Sequence, residues 1–346
     1  MNVVKTCPKL LLTARFCVCS AALLAVICST ASAQGNDEVA ERPDSVKQEP
    51  AIDVPPQLLK LFDEGQYPPD ASGDDPKVEY RLLKPPHYDR SKKYPLILWL
   101  HGYGMAEIVN RNFGQLQNFK TTVGPTIEKQ DRRGFFMLVP QRPEKIGSWQ
   151  QTLTSENEDN KKSFVAADGV FGIIEQLKKD YNIDENRVSV VGISAGGSEG
   201  WTMVKQRPDL FSAFAPIAVK SATIQDLDKL KGISVWAFYS SGDRPGNGKE
   251  VIAQLNQVGG WGYYTEIKSF EHNCWGGAFQ DHNLLNWLLD QEKGVYKRKP
   301  FQWTDYKYVL SYWPHVVVGG VIVICYLAVR REQKKKAPGI DVKVVG

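Results

Sequence analysis

Ser194 stands in Gly192-Ile193-Ser194-Ala195-Gly196, directly after the β-branched stretch Val188–Val191 and before a helix-like segment from Gly196 to about Arg207. Strand, Gly-x-Ser-x-Gly, helix is the pattern of a nucleophile elbow. The turn is so tight that the serine's neighbours must be small, and Oγ is left exposed at its tip. A serine hydroxyl is a weak nucleophile at neutral pH, so Ser194 needs a base within hydrogen-bond reach and a third group to orient that base. Five histidines compete for the role of base: His87 in a Pro-rich turn, His282 at the start of the last helical stretch, His315 in an apolar C-terminal segment, His101 at the end of a strand preceding the serine, and His272. His272 follows the strand-like run Tyr263–Phe270 and is the candidate base. The orienting acid should end a strand between Ser194 and His272. Asp243 does so, behind Trp236–Ser241 and Gly242, whereas Asp226 and Asp228 fall in a lysine-rich, solvated connection. The order Ser194, Asp243, His272 is that of a doubly wound hydrolase sheet. An oxyanion formed at the attacked carbonyl also needs amide donors. Ala195 N–H, at the start of the elbow helix, is one candidate. Tyr103 N–H, in the turn His101-Gly102-Tyr103-Gly104, is the other, with Gly104 as the second choice there.

The elements that must position these residues are legible as alternating patterns. Val78–Leu83 alternates as a half-buried strand, Tyr94–Leu100 is almost continuously apolar, and Phe135–Pro140 is a third strand. Val170, Phe171, Ile174, Leu177 and Tyr181 recur at helical spacing. Strands at 211–219, 235–240 and 263–270 follow the elbow, with a weaker helix around Val251, Ile252 and Leu255, and Leu284–Leu289 closes the body. Strands alternating with helices predict an α/β fold: a mostly parallel sheet with helices on both faces. The domain expected from this pattern spans 77–293.

Outside that body the composition changes. Residues 1–33 combine a basic start, an apolar run Phe16–Ile27 and Ala31-Ser32-Ala33, the signature of a signal peptide with its cleavage site. Residues 34–76 are acidic and Pro-rich and read as a linker, with one docked helical turn around Leu58–Phe62. Residues 294–308 form an aromatic juxtamembrane segment, 309–329 a transmembrane helix, and 330–346 a basic tail that marks the cytoplasmic side. The expectation is an extracytoplasmic body, periplasmic or at the cell surface, anchored in a membrane by a C-terminal helix. The net charge of +4 is carried by the two ends, +3 within residues 1–33 and +4 after residue 329, which leaves −3 on the body. That balance offers no footprint for nucleic acid. Of six cysteines only Cys274 lies in the body, so no disulfide framework holds it, and a buried apolar filler is the expected role of its thiol. No cluster has metal-ligand spacing and no glycine loop could cradle a phosphate, so neither metal nor cofactor is expected.

Taken together, these stretches resemble the α/β-hydrolase superfamily. Within it they are similar to the secreted bacterial group described as predicted peptidases, related to the polyhydroxybutyrate depolymerase and feruloyl esterase branch and to dienelactone hydrolases. The resemblance is carried by Tyr94-Pro95-Leu96 through His101-Gly102, Pro140-Gln141 with Trp149, Tyr181-Asn182-Ile183-Asp184 through Gly197, Pro208-Asp209-Leu210-Phe211, and His272-x-x-Trp275, across residues 78–292. It implies a Ser–Asp–His hydrolase, matched by Ser194, Asp243 and His272. Where relatives often have a His-Gly pair before the acid, this chain has Tyr239-Ser240-Ser241-Gly242. Trp149, Trp201, Trp261 and Trp275 are candidates to line a pocket for an acyl or aromatic group, with Trp149 and Trp275 favoured by family position. The expected function is hydrolysis of a carboxylic ester, on a small-molecule or polymer-derived acyl substrate. A peptidase of the same fold and a catalytically silent binding module are the alternatives.

Overall fold

Runs of β-branched and aromatic residues buried on both faces form the centre of one eight-stranded sheet. In this computed structural model the described residues are 54–297, except 104–113, 129–132, 144, 156–160, 244–245 and 270. The strands in chain order are β1 (Phe62–Tyr67), β2 (Val78–Leu83), β3 (Tyr94–Leu100), β4 (Phe136–Pro140), β5 (Thr152–Thr154), β6 (Ser163–Val165), β7 (Ile183–Ile193), β8 (Ala213–Ile217), β9 (Ser234–Ser240) and β10 (Trp261–Ile267). β5 and β6 pair as a separate two-stranded ribbon, and the others lie in the order β1-β2-β4-β3-β7-β8-β9-β10. From β4 to β10 every pairing is parallel, and at one edge β2 alone runs against the rest, antiparallel to both β4 and β1. The helices are α1 (Pro56–Leu59), α2 (Gly124–Glu128), α3 (Ala166–Asp180), α4 (Ala195–Gln206), α5 (Gly248–Gln257), α6 (Trp275–Gln280) and α7 (Leu284–Asp290).

The two faces of the sheet bury different residues of the same strands. Leu96, Leu98 and Leu100 of β3 pack with residues of α3, α4 and α5, while Ile97 and Trp99 pack with α6, α7 and the 3-10 turn Gly114–Thr121. Successive side chains on a strand point to opposite faces, so a strand covered on both must be apolar throughout. This is the expected parallel α/β architecture, and the elements anticipated between 78 and 290 all form.

Two boundaries move. Residues 62–67, assigned above to an acidic linker, are the edge strand β1, paired with β2 from Phe62–Leu83 to Tyr67–Val78. Its acidic residues face outward and pair across the strands, Glu64 with Arg81 at 2.6 Å and Asp63 with Lys84. Gly65 admits the ring of Tyr80, which a Cβ there would overlap. An edge strand draws its stability from ladder hydrogen bonds and cross-strand pairs, so composition does not reveal it. The helical turn expected around Leu58–Phe62 forms earlier, as α1 at Pro56–Leu59 with Leu58 buried, and Phe62 opens β1 instead. At the other end, Gly294–Lys297 belong to the body rather than to a juxtamembrane segment. Lys293 N–H donates to Asn186 O, Glu292 bridges Val295, and the hydroxyls of Tyr263 and Tyr296 lie 2.7 Å apart. Among the described residues no helix is long and apolar enough to cross a membrane. The expected signal peptide at 1–33, linker residues 34–53, the expected juxtamembrane residues 298–308, the expected span at 309–329 and the expected tail at 330–346 lie outside the described residues.

Removing β1 tests the first correction. Leu58 and Phe62 are both buried, and each such side chain contributes about 1.5–3 kcal/mol. A chain shortened to begin at Asp70 is expected to melt about 5–15 °C below one beginning at Val54, read by thermal unfolding. Equal melting temperatures would return 54–69 to the linker.

Candidate active site

β7 delivers Ser194 into a backbone state that few side chains adopt, φ +53° and ψ −115°, and α4 starts at the next residue. Ser194 N–H donates to Ile217 O of β8 at 2.8 Å, and Ser194 O accepts from the amides of Gly197 and Ser198 at 3.0 and 3.1 Å. The turn closes only because its flanks lack side chains. A Cβ on Gly192 would lie 2.4 Å from Gly196 O, and one on Gly196 would lie 2.3 Å from Leu100 O. These are backbone atoms that no rotamer change can move away.

His272 Nε2 lies 2.9 Å from Ser194 Oγ, and His272 Nδ1 lies 2.5 Å from Asp243 Oδ2. The three sequence-predicted side chains thus form one hydrogen-bonded row, across separations of 78 and 29 residues. Each follows the carboxyl end of a parallel strand, Ser194 after β7, Asp243 after β9 and His272 after β10. The aspartate side chain is well shielded at 16% exposure and the imidazole more open at 38%. A carboxylate on Nδ1 holds the tautomer whose Nε2 can take a proton from Oγ, so the row can perform general-base activation.

Sequence reasoning missed the residues that hold the acid turn to the histidine loop. Ser240 Oγ donates to Ser269 O at 3.1 Å, Ser241 N–H to Ile267 O at 2.9 Å, and Ser269 N–H to Ser241 Oγ at 3.3 Å. Ser240 and Ser241 stand in the stretch before the acid where the resemblance leads one to expect His-Gly. Nothing in their spacing marks them, because their partners are backbone atoms of a neighbouring strand.

The oxyanion candidates sit on either side of the serine. Ala195 is the first residue of α4, so its N–H has no acceptor within the helix. The turn at Gly102 abuts the elbow, since a Cβ built there would lie 3.7 Å from Ser194 Cβ. Tyr103 follows, 58% exposed, and Gly104 lies outside the described residues. His101 is buried behind this turn.

The tryptophans divide. Trp275 is half-buried, its ring edge-on to His272 with centroids 5.9 Å apart, so it can form a wall beside the base. Trp149 is only 1% exposed and packs edge-on to His101 at 6.5 Å, so it offers a substrate no surface and its assignment to the pocket is corrected. Trp201 is buried against Phe214, and Trp261 lies at the far end of β10 from His272. Cys274 is buried, and burial above all, with Asp243 nearby, pushes its thiol up to about 12. It therefore stays a protonated apolar filler beside the site. His282 packs on Phe238 and Trp236, and Asp226 pairs with Lys229. Among the described residues no three His, Cys, Asp or Glu side chains are grouped to hold a metal ion.

The Esterase family, described as "Putative esterase", matches residues 71–292. The bifunctional acetylxylan esterase/xylanase XynS20E of Neocallimastix patriciarum is 30% identical over 122 residues, 35% of this chain and 15% of its own. Dipeptidyl-peptidase 5 of Porphyromonas gingivalis is 25% identical over 137 residues, 38% of this chain and 18% of its own. A solved structure described as a thermostable esterase is 27% identical with a TM-score of 0.57, covering 68% of this chain and 64% of its own. The chain thus spans less than a fifth of the two curated relatives.

The elbow glycines give a test in which two effects have opposite signs. Helix propensity alone makes Gly196→Ala stabilising by up to about 1 kcal/mol. The 2.3 Å approach to Leu100 O opposes it, and the clash is expected to win, lowering the melting temperature by several degrees. A melting temperature equal to or above the parent's would show that the turn is looser than this packing implies. Cys274 is expected to resist alkylation in the folded body at pH 8 and to react fully once it is unfolded.

Proposed function

The chain belongs to the Esterase family, and from that premise we propose that it is a serine hydrolase that cleaves a carboxylic ester through an acyl-enzyme. The observation that carries the reading is the row Ser194 Oγ, His272, Asp243, at 2.9 and 2.5 Å. Ser194 Oγ attacks the ester carbonyl as His272 Nε2 takes its proton, and the carbonyl π electrons pass to the oxygen. The amides of Ala195 and Tyr103 hold that oxyanion. Asp243 stabilises the imidazolium and does not itself take the proton. Collapse of the intermediate expels the alcohol, protonated by His272. Water, deprotonated by the same nitrogen, then attacks the acyl-serine, and its collapse releases the acid and restores Oγ–H. Trp275, beside the base, lines the side of the cleft that receives an apolar or ring-bearing group.

A peptidase is the second reading, supported by the similarity to a dipeptidyl-peptidase. An amide is the harder substrate because resonance stabilises its ground state and its nitrogen must be protonated before it can leave. An ester-specialised site is expected to turn over short nitrophenyl esters while leaving peptide anilides of matched length untouched. The body is proposed to work outside the cytoplasm, tethered by residues 309–329 and secreted by residues 1–33. Support for this comes from the apolar runs and their basic flanks.

The first experiment is intact-mass analysis after treatment with a fluorophosphonate, beside Ser194→Ala. One adduct on the parent and none on the variant are expected. A folded parent that takes no adduct would leave the silent binding module as the better account. Asp243→Asn is expected to lower kcat by about 10²–10⁴-fold with KM nearly unchanged, since it removes the acceptor that fixes the imidazole tautomer.

A further inference from the structure

His101 is 2% exposed, and both of its ring nitrogens are committed. The backbone N–H of Arg142, 3.0 Å from Nε2, can only donate, so Nε2 must be the bare acceptor. The neutral ring then carries its proton on Nδ1, 2.8 Å from Gly102 O, an atom that can only accept. The two contacts together fix the tautomer. Burial chiefly, with the positive charge of Arg142 in the same direction, pulls the imidazole down to about 4, so the ring stays neutral at any ordinary working pH.

Gly102 C=O and Tyr103 N–H belong to one peptide unit. In a planar trans peptide the two point in opposite directions, so a bond that fixes the carbonyl also fixes the aim of the N–H. No side chain at Gly102 restricts this unit. Among the described residues, a Cβ on Gly102 would meet nothing closer than Ile193 O at 3.6 Å, and glycine leaves the backbone free to rotate.

We propose that His101 is a positioning residue for the oxyanion site. Its Nδ1–H pins the Gly102–Tyr103 peptide so that Tyr103 N–H faces the oxygen of the attacked carbonyl, and Arg142 N–H, just past β4, keeps the ring in the tautomer that can do so. This rests on the hydrolase reading above. His101 touches no substrate and acts through the peptide that does. Trp149 closes the imidazole off from water on one side. The guanidinium of Arg142 lies 5.4 Å from the ring centroid of Tyr103 while donating to Gly147 O at 3.0 Å. Tyr103 is therefore held twice, its peptide by His101 and its ring by Arg142.

Two substitutions separate this role from simple core packing. In His101→Asn the amide NH₂ falls near the place of Nδ1–H and keeps the donor to Gly102 O. In His101→Gln the amide oxygen falls near Nε2 and keeps the acceptor for Arg142 N–H but loses that donor. On a short nitrophenyl ester, His101→Gln is expected to lose about 10²-fold in kcat with KM within threefold, the cost of one oxyanion donor. His101→Asn is expected to stay within about tenfold of the parent, whatever the two melting temperatures. Equal losses in both, or full kcat in a folded His101→Gln, would overturn the proposal. Should His101→Gln not fold, His101→Asn decides alone, since a loss of 10²-fold there is fatal to it. A parent without turnover would sink the hydrolase reading instead, and the amide signal of ¹⁵N-labelled Tyr103 then judges the positioning. It is expected to hold its place in His101→Asn and move in His101→Gln, and an unmoved signal in both refutes the role.

Discussion

Ser194 is held at a positive φ that costs a non-glycine residue about 1–3 kcal/mol, and most of the active face follows from the way that cost is met. The turn survives because β7, α4 and β3 approach at distances that only glycine allows. Gly196 presses against the carbonyls of Leu100 and His101, and Gly192 against Gly196. The same closeness brings the end of β3 beside the start of α4. Strain at Ser194 and the closeness of the Gly102–Tyr103 turn to the start of α4 are therefore a single constraint.

The parallel sheet supplies what the elbow cannot. Parallel neighbours release all their following loops at the same edge, so residues far apart in the chain meet there. Ser194, Asp243 and His272 come from three strands, and β8 lies between the first of these and the second. The row still needs its outer members aligned. The serines at 240, 241 and 269 do this by lacing the ends of β9 and β10 together. A shielded Asp243 carboxylate beside a more open His272 imidazole suits the proton transfers proposed for this row.

Aromatic residues near the serine have two distinct duties. Trp275 leans half-buried on His272, while Trp149 is sealed behind the His101-Gly102 turn. Both carry the same sequence signal, a tryptophan close to a motif. Only the packing tells a wall from a support.

The sequence by itself determined the elbow and the alternation of strands and helices, and it singled out Ser194, Asp243 and His272, which the structure brings into one hydrogen-bonded row. Each of these is a local matter: small residues where a turn must be tight, apolar runs where a strand is covered twice, and a charged side chain just past a strand end. It misjudged β1 because Phe62-Asp63-Glu64-Gly65-Gln66-Tyr67 buries little, and its hydrogen bonds and ion pairs belong to β2. It likewise could not place Gly294–Lys297, whose contacts lie on Gly232, just before β9, and on Tyr263 of β10. The tertiary structure alone decided the serine lacing, the burial of Trp149 and the two bonds that fix the His101 tautomer. Those depend on which backbone atom lies opposite which side chain across strands, and pattern along a chain does not record that distance.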